Sequence, residues 1–331
     1  MKLPKLLFPA FLLPIAAFCT PNPAKVEGPE SCAECHAVSV EAWKQTSHFN
    51  TFNEMHRRPE AREIAEKLGI RRIKFESLCL SCHYTAQETE GGEIEVIAGI
   101  SCESCHGAAE DWIDIHSNYG EGYTKETEPA EHRQMRIEKS VANGMIHPRN
   151  LYAVATNCYE CHLVPNERLV NVGGHPAGSK NFELVSWLNG EVRHNFQDSD
   201  GKVNEEIPIE DKRMLFLLSI ILEVEHGLRG TAIATTADTY GKTLAVRTDT
   251  AKKKLAQVTR LLQSEDLAAI YKAANAAKLT LNNEAELVAA AEEVQRLGQA
   301  FAQNHDGSQF GQLDQYIESA TPKGEVYQPN P

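Results

Sequence analysis

Four times in this chain two cysteines and a histidine take the spacing Cys-X-X-Cys-His, at Cys32–His36, Cys79–His83, Cys102–His106 and Cys158–His162. This is the attachment signature of a c-type haem. The two thiols add to the porphyrin vinyl groups as thioethers, and the adjacent imidazole becomes the proximal iron ligand. Cys32, Cys35, Cys79, Cys82, Cys102, Cys105, Cys158 and Cys161 are consumed in this way, leaving only Cys19 of nine cysteines. Two other chemistries compete. Cys79, Cys82, Cys102 and Cys105 alone have the spacing of a four-cysteine zinc site, and paired cysteines in an exported chain form disulfides. Neither explains why a histidine follows the second cysteine every time. The expectation is four covalently bound haem c groups, with His36, His83, His106 and His162 as proximal ligands.

Nine histidines remain to supply a sixth ligand, against few methionines. A second imidazole holds the potential lower than methionine would, so histidine pairs are expected. His48 lies on one helical stripe with Phe52 and His56, close behind Trp43. His116 follows Trp112 by one turn. His226 ends an apolar stripe formed by Leu215, Leu218 and Leu222, where it reads either as a ligand or as a cap near a helix C-terminus. His175, in Gly173-Gly174-His175-Pro176, and His194, in Arg193-His194-Asn195, sit in loop-like sequence where a ligand and a surface turn look alike.

The elements that must position these groups are short. The fold class expected is mainly α with long loops, a multihaem core followed by a helical C-terminal region. Ser39 reads as an N-cap, and Pro59 and Gly69 bracket a helix with Glu63 and Lys67 one turn apart. Ile94 and Val96 alternate with glutamates as in a strand. Pro208 opens a helix over 207–225, and Gly227 and Gly230 read as its break. Met214 reads as core. Residues 250–303, rich in Ala, Leu, Lys and Glu, carry two or three helices, with Ser264 as a cap and Asn283 and Glu286 as a capping box. The organisation expected is a leader over 1–24, a haem domain over 25–230, a connecting segment over 231–249, and the helical region with its polar tail over 250–331.

Lys2 and Lys5 followed by the apolar run 6–18 read as a secretory signal peptide, too short for a membrane span. Phe18 stands where a lipid-modified Cys19 would need a small residue. The mature protein is therefore expected in the periplasm or otherwise exported, with no membrane span. The formal charge of −13 on 331 residues disfavours nucleic acid and suits redox partners with a basic docking surface, although solubility alone accounts for the charge equally well.

The four motifs in this order, the segment Ala42-Trp43-Lys44-Gln45-Thr46-Ser47-His48, and Gly99-Ile100-Ser101-Cys102-Glu103-Ser104-Cys105-His106-Gly107 followed by His116 resemble the cytochrome c-554 family. So does Glu225-His226-Gly227-Leu228. The resemblance covers about residues 28–230 and not the C-terminal helices. It implies that His116 is the distal ligand of the first haem, and that His48 and His226 serve the third and fourth in either order. It also implies that the second haem, held by His83, lacks a sixth ligand. This chain departs from the family in its extra histidines over 130–195, of which His175 is a candidate to close that site, and in the stretch 180–195 with Trp187 and Arg193.

The leading functional expectation is an electron carrier between a donor and an acceptor protein. An enzyme reducing a small nitrogen oxide at an open second haem, with Arg71, Arg72 and Lys74 nearby to attract an anion, is the alternative. A third is a haem-stacked filament whose subunits associate through the C-terminal helices.

Overall fold

The computed structural model describes residues 20–179, 182–317 and 321–329. The leader lies almost wholly outside the described residues. Among the described residues the chain is mainly helical, with one two-stranded antiparallel sheet formed by Thr85–Glu88 and Ile94–Ala98. No helix among the described residues is long and apolar enough to cross a membrane.

The helix Ile209–Ala232 is the axis of the molecule. Leu215, Leu217, Leu218, Ile221, Leu222 and Leu228 are almost completely buried, and each such side chain contributes roughly 1.5–3 kcal/mol of transfer free energy. A helix apolar on several faces needs cover all round. Leu151–His162, Leu184–Leu188, Thr239–Leu262 and Glu284–Asn304 supply it. A buried polar cross-link accompanies the packing: Tyr152 Oη donates to Glu225, Arg229 Nε donates to Glu225 at 3.2 Å, and Arg229 Nη2 donates to Gln295 at 2.9 Å. Met214 is core, as its position in the sequence indicated.

Gly227 and Gly230 do not break this helix, which runs on to Ala232. They let a neighbouring helix come close. A Cβ on Gly227 would lie 2.3 Å from Thr248 Oγ1, and one on Gly230 would lie 2.8 Å from Leu244 Cδ1. The proposed connecting segment 231–249 is likewise mostly helical, since Thr239–Leu262 begins within it and is capped by Asp238. Ser264 caps Glu265–Ala274, accepting from Leu267 N. Asn283 stands at the N-cap of Glu284–Asn304 without a capping box, because its side-chain amide donates to Lys278 O instead.

In the first half, Pro59–Leu68 ends on a left-handed Gly69 and carries the Glu63–Lys67 ion pair at 2.7 Å. Ser39 is not a cap: the helix Pro29–Lys44 starts ahead of the first motif and bends at His36. Thr46 caps the next helix, Ser47–Glu54, accepting from Phe49 N.

Candidate haem site

Each attachment motif is built the same way. Cys79 and Cys82 lie near the end of Ser77–His83, Cys102 and Cys105 fill Cys102–His106, and Cys158 and Cys161 close Leu151–His162. Side chains three apart share a helix face, so both thiols of a pair meet one object. The histidine is the last helical residue, or in the first motif the bend itself (φ −112°, ψ 37°). There the backbone is free to swing the imidazole under that object.

Four imidazole pairs result. His36 faces His116 with ring centroids 6.3 Å apart, His83 faces His175 at 6.4 Å, His106 faces His194 at 6.2 Å, and His162 faces His48 at 6.3 Å. Imidazole–metal bonds are about 2.0–2.1 Å long. With a ring radius on each side, two imidazoles on opposite faces of one metal place their centroids roughly 6 Å apart. All eight of these histidines and all eight motif cysteines line one continuous cavity of about 2710 Å³. That is well beyond the roughly 300–1,000 Å³ of an ordinary small-molecule pocket.

Hydrogen bonds orient the rings. A carbonyl oxygen can only accept, so a histidine whose Nδ1 meets one carries its proton there and turns a bare Nε2 the other way. That is the situation of His106 on Ile146 O (3.2 Å), His116 on Ile113 O (2.5 Å), His175 on Pro176 O (2.9 Å) and His194 on Val192 O (2.7 Å). Burial, followed by the opposing imidazole, pushes His83, His106 and His162 each down to about 4. They are neutral at physiological pH, as a metal ligand must be. Burial also pushes the thiols of Cys79 and Cys105 up to about 11 and that of Cys158 up to about 12. These are not the low-pKa thiols of nucleophilic catalysis.

The residues fit a porphyrin with propionates in a further respect. Trp112 Nε1 and Arg193 Nε are buried donors without a hydrogen-bond partner, and both residues line the cavity. Carboxylate oxygens would satisfy them. The competing cysteine chemistries find less support. No disulfide joins the eight motif cysteines, and no group of three or more His, Cys, Asp or Glu side chains converges as a bare-metal site among the described residues.

His226 is not in a pair with an attachment histidine. It stacks on Tyr159 with centroids 6.3 Å apart, burial pushes it down to about 3, and its Nε2 is buried without a partner. The ring opposite His106 belongs to His194. Nothing in the loop sequence around His194 distinguishes it; its approach depends on the 182–195 stretch folding back against the third motif. Glu103 also gave no signal in the sequence. This buried carboxylate accepts from Glu27 N (2.9 Å), Gly28 N (2.7 Å) and Ala109 N (2.8 Å), joining the start of the first attachment helix to the third.

Residues 31–107, spanning the first three motifs, match the family described as cytochrome c554 and c-prime. Over 109 residues the chain is 28% identical to cytochrome c-554 of Nitrosomonas europaea, which covers 31% of this chain and 46% of that protein. The chain thus spans about half the length of the curated relative it matches. No solved structure matches. The paired histidines and the thiol spacing agree with this similarity of residues 31–107 to the cytochrome c554 and c-prime family.

Proposed function

We propose that this protein is an exported, periplasmic tetrahaem cytochrome that carries electrons between two redox proteins, with each iron held by two histidines. One observation carries the reading: every Cys-X-X-Cys-His imidazole is opposed by a second imidazole at 6.2–6.4 Å around one shared cavity. The ligand pairs are His36/His116, His83/His175, His106/His194 and His162/His48. Each bound haem supplies a one-electron ferric/ferrous couple. The paired histidines would hold each iron from both faces, so that little would reorganise when charge moves.

The attachment segments touch in the order first, third, fourth, second. Cys32 lies beside Cys102 and Cys82 beside Cys161, and Asn157 Nδ2 donates to Cys105 O at 2.8 Å. Such contacts suit a continuous conducting chain that ends at the first and second haems. His175 opposite His83 argues against an open second iron, and so against reduction of a small nitrogen oxide there. Export is supported by the charged and apolar N-terminal run.

Intact mass and spectra of the natively produced holoprotein test the reading. Four covalent haem adducts, wholly low-spin EPR signals and no carbon monoxide binding after reduction are expected. Fewer adducts would overturn the haem count. A high-spin iron that binds carbon monoxide would overturn the carrier in favour of the enzyme.

A further inference from the structure

We infer that the C-terminal helices set the reduction potential of the fourth haem, through an Arg247–Glu223 clamp that fixes Ser179 against His162. The inference rests on the reading that His162 and His48 are the ligands of that haem.

With Nε2 of His162 on iron, its proton must sit on Nδ1. Ser179 Oγ lies 2.9 Å from that nitrogen and is therefore the acceptor. Ser179 N in turn donates to His162 O at 2.9 Å, so the two residues hold each other reciprocally. Phe182 lies flat on the His162 ring, with centroids 4.5 Å apart and an interplanar angle of 16°.

Ser179 belongs to an irregular loop, and its place is set from outside. Arg247, on Thr239–Leu262, donates from Nη1 to Ser179 O at 3.4 Å. Its other nitrogens make a two-pronged pair with Glu223 of Ile209–Ala232, at 2.8 and 3.2 Å. Both side chains are about four-fifths buried, each 19% exposed, which is the setting where such forked pairs hold geometry best. Gly178 leaves room for the guanidinium: its φ is +82°, and a Cβ there would lie 2.2 Å from Arg247 Nη1 and 2.9 Å from His162 O. The unbroken path is Glu223, Arg247, Ser179, His162. It gives the helical region, which bears no haem motif, an effect on the redox centre.

The direction follows from the chemistry. A proton donated from Nδ1 to an acceptor makes the imidazole a stronger electron donor to iron, which favours the ferric form and lowers the potential. Ser179 and Arg247 are positioning residues.

The test is a redox titration of the holoprotein resolving four couples, with His48→Met marking the fourth by its raised potential. Ser179→Ala is expected to raise the fourth couple alone, by on the order of a tenfold change in its reduction equilibrium, or about 59 mV for one electron. Covalent haem content and low-spin signals should be unchanged, and Ser179→Thr should restore the wild-type value. Arg247→Gln should move the same couple in the same direction by less. The inference is overturned if Ser179→Ala leaves the fourth couple in place, shifts another couple, or shifts all four together. Wild-type protein lacking four low-spin haems would instead overturn the underlying ligand assignment, so the two failures are separable.

Discussion

The two halves of the molecule solve the problem of an interior differently. From Tyr152 to Ile317 one apolar cluster runs through the successive helices, with dozens of side chains almost wholly shielded from water. In the first half the comparable cluster consists of Ala65, Ile73 and Tyr84 with a few partly buried neighbours. The rest of that half, together with Cys158, Cys161, His162, His175 and His194 from the edge of the second, surrounds the cavity lined by histidines and cysteines. One half makes its core from leucine and alanine; the other is shaped to receive its core as cofactor.

The largest effect should therefore come from denying the protein its haem. Replacing all eight motif cysteines by serine is expected to leave the first half unfolded while the helical half survives. Limited proteolysis should cut throughout residues 20–150 and spare a fragment containing Ile209–Ala232 and Glu284–Asn304. Uniform protection of the full chain would erase the contrast between the halves.

Next is His175→Ala, which strikes the cofactor half at one point. One haem in four should become high-spin and bind carbon monoxide when reduced, with the other three unaffected. Leu222→Ala strikes the opposite half, where the side chain is completely buried. It should cost about 2–5 kcal/mol in denaturant unfolding of the helices and leave the haem spectrum unaltered. Gly227→Ala pushes the methyl group against Thr248 and should cost about 1–3 kcal/mol, read as a lower melting temperature.

The smallest effect concerns pH. Glu128 is held down to about 2, chiefly by its hydrogen bond from Arg136, a residue that also donates to His116 O. A carboxyl with a depressed folded pKa stabilises the protein above its unfolded value of about 4.3, and that stabilisation is lost as pH falls from there towards about 2. Glu128→Gln should flatten this part of the stability-against-pH profile. An unchanged acid limb would remove Glu128 from the support of the first histidine pair.

How much of this was legible in the sequence depended on whether a signal was local. The attachment motifs, the Pro59–Gly69 helix, the Ser264 cap and the strand at Ile94 are written in neighbouring residues, and the sequence located all of them. The glycines at 227 and 230 misled because a helix break and a close helix crossing use the same residue; only the later Thr248 and Leu244 tell them apart. His226 misled in a similar way, since an apolar stripe marks burial without naming what is buried against it. His194 and Ser179 lie in loops whose course is set by contacts from 17 to 88 positions away. Their meaning exists only once the chain has closed.

Glu103 bears on how the polypeptide can be trimmed. Two of its three amide donors come from Glu27 and Gly28, while Lys25 O accepts from Glu110 N and Val26 O from Gln87 Nε2. A processing protease that removed residues up to 28 would strand a shielded negative charge beneath the third attachment segment. Any cut at the N-terminus would therefore have to fall upstream of Lys25 for the floor of that segment to remain sealed.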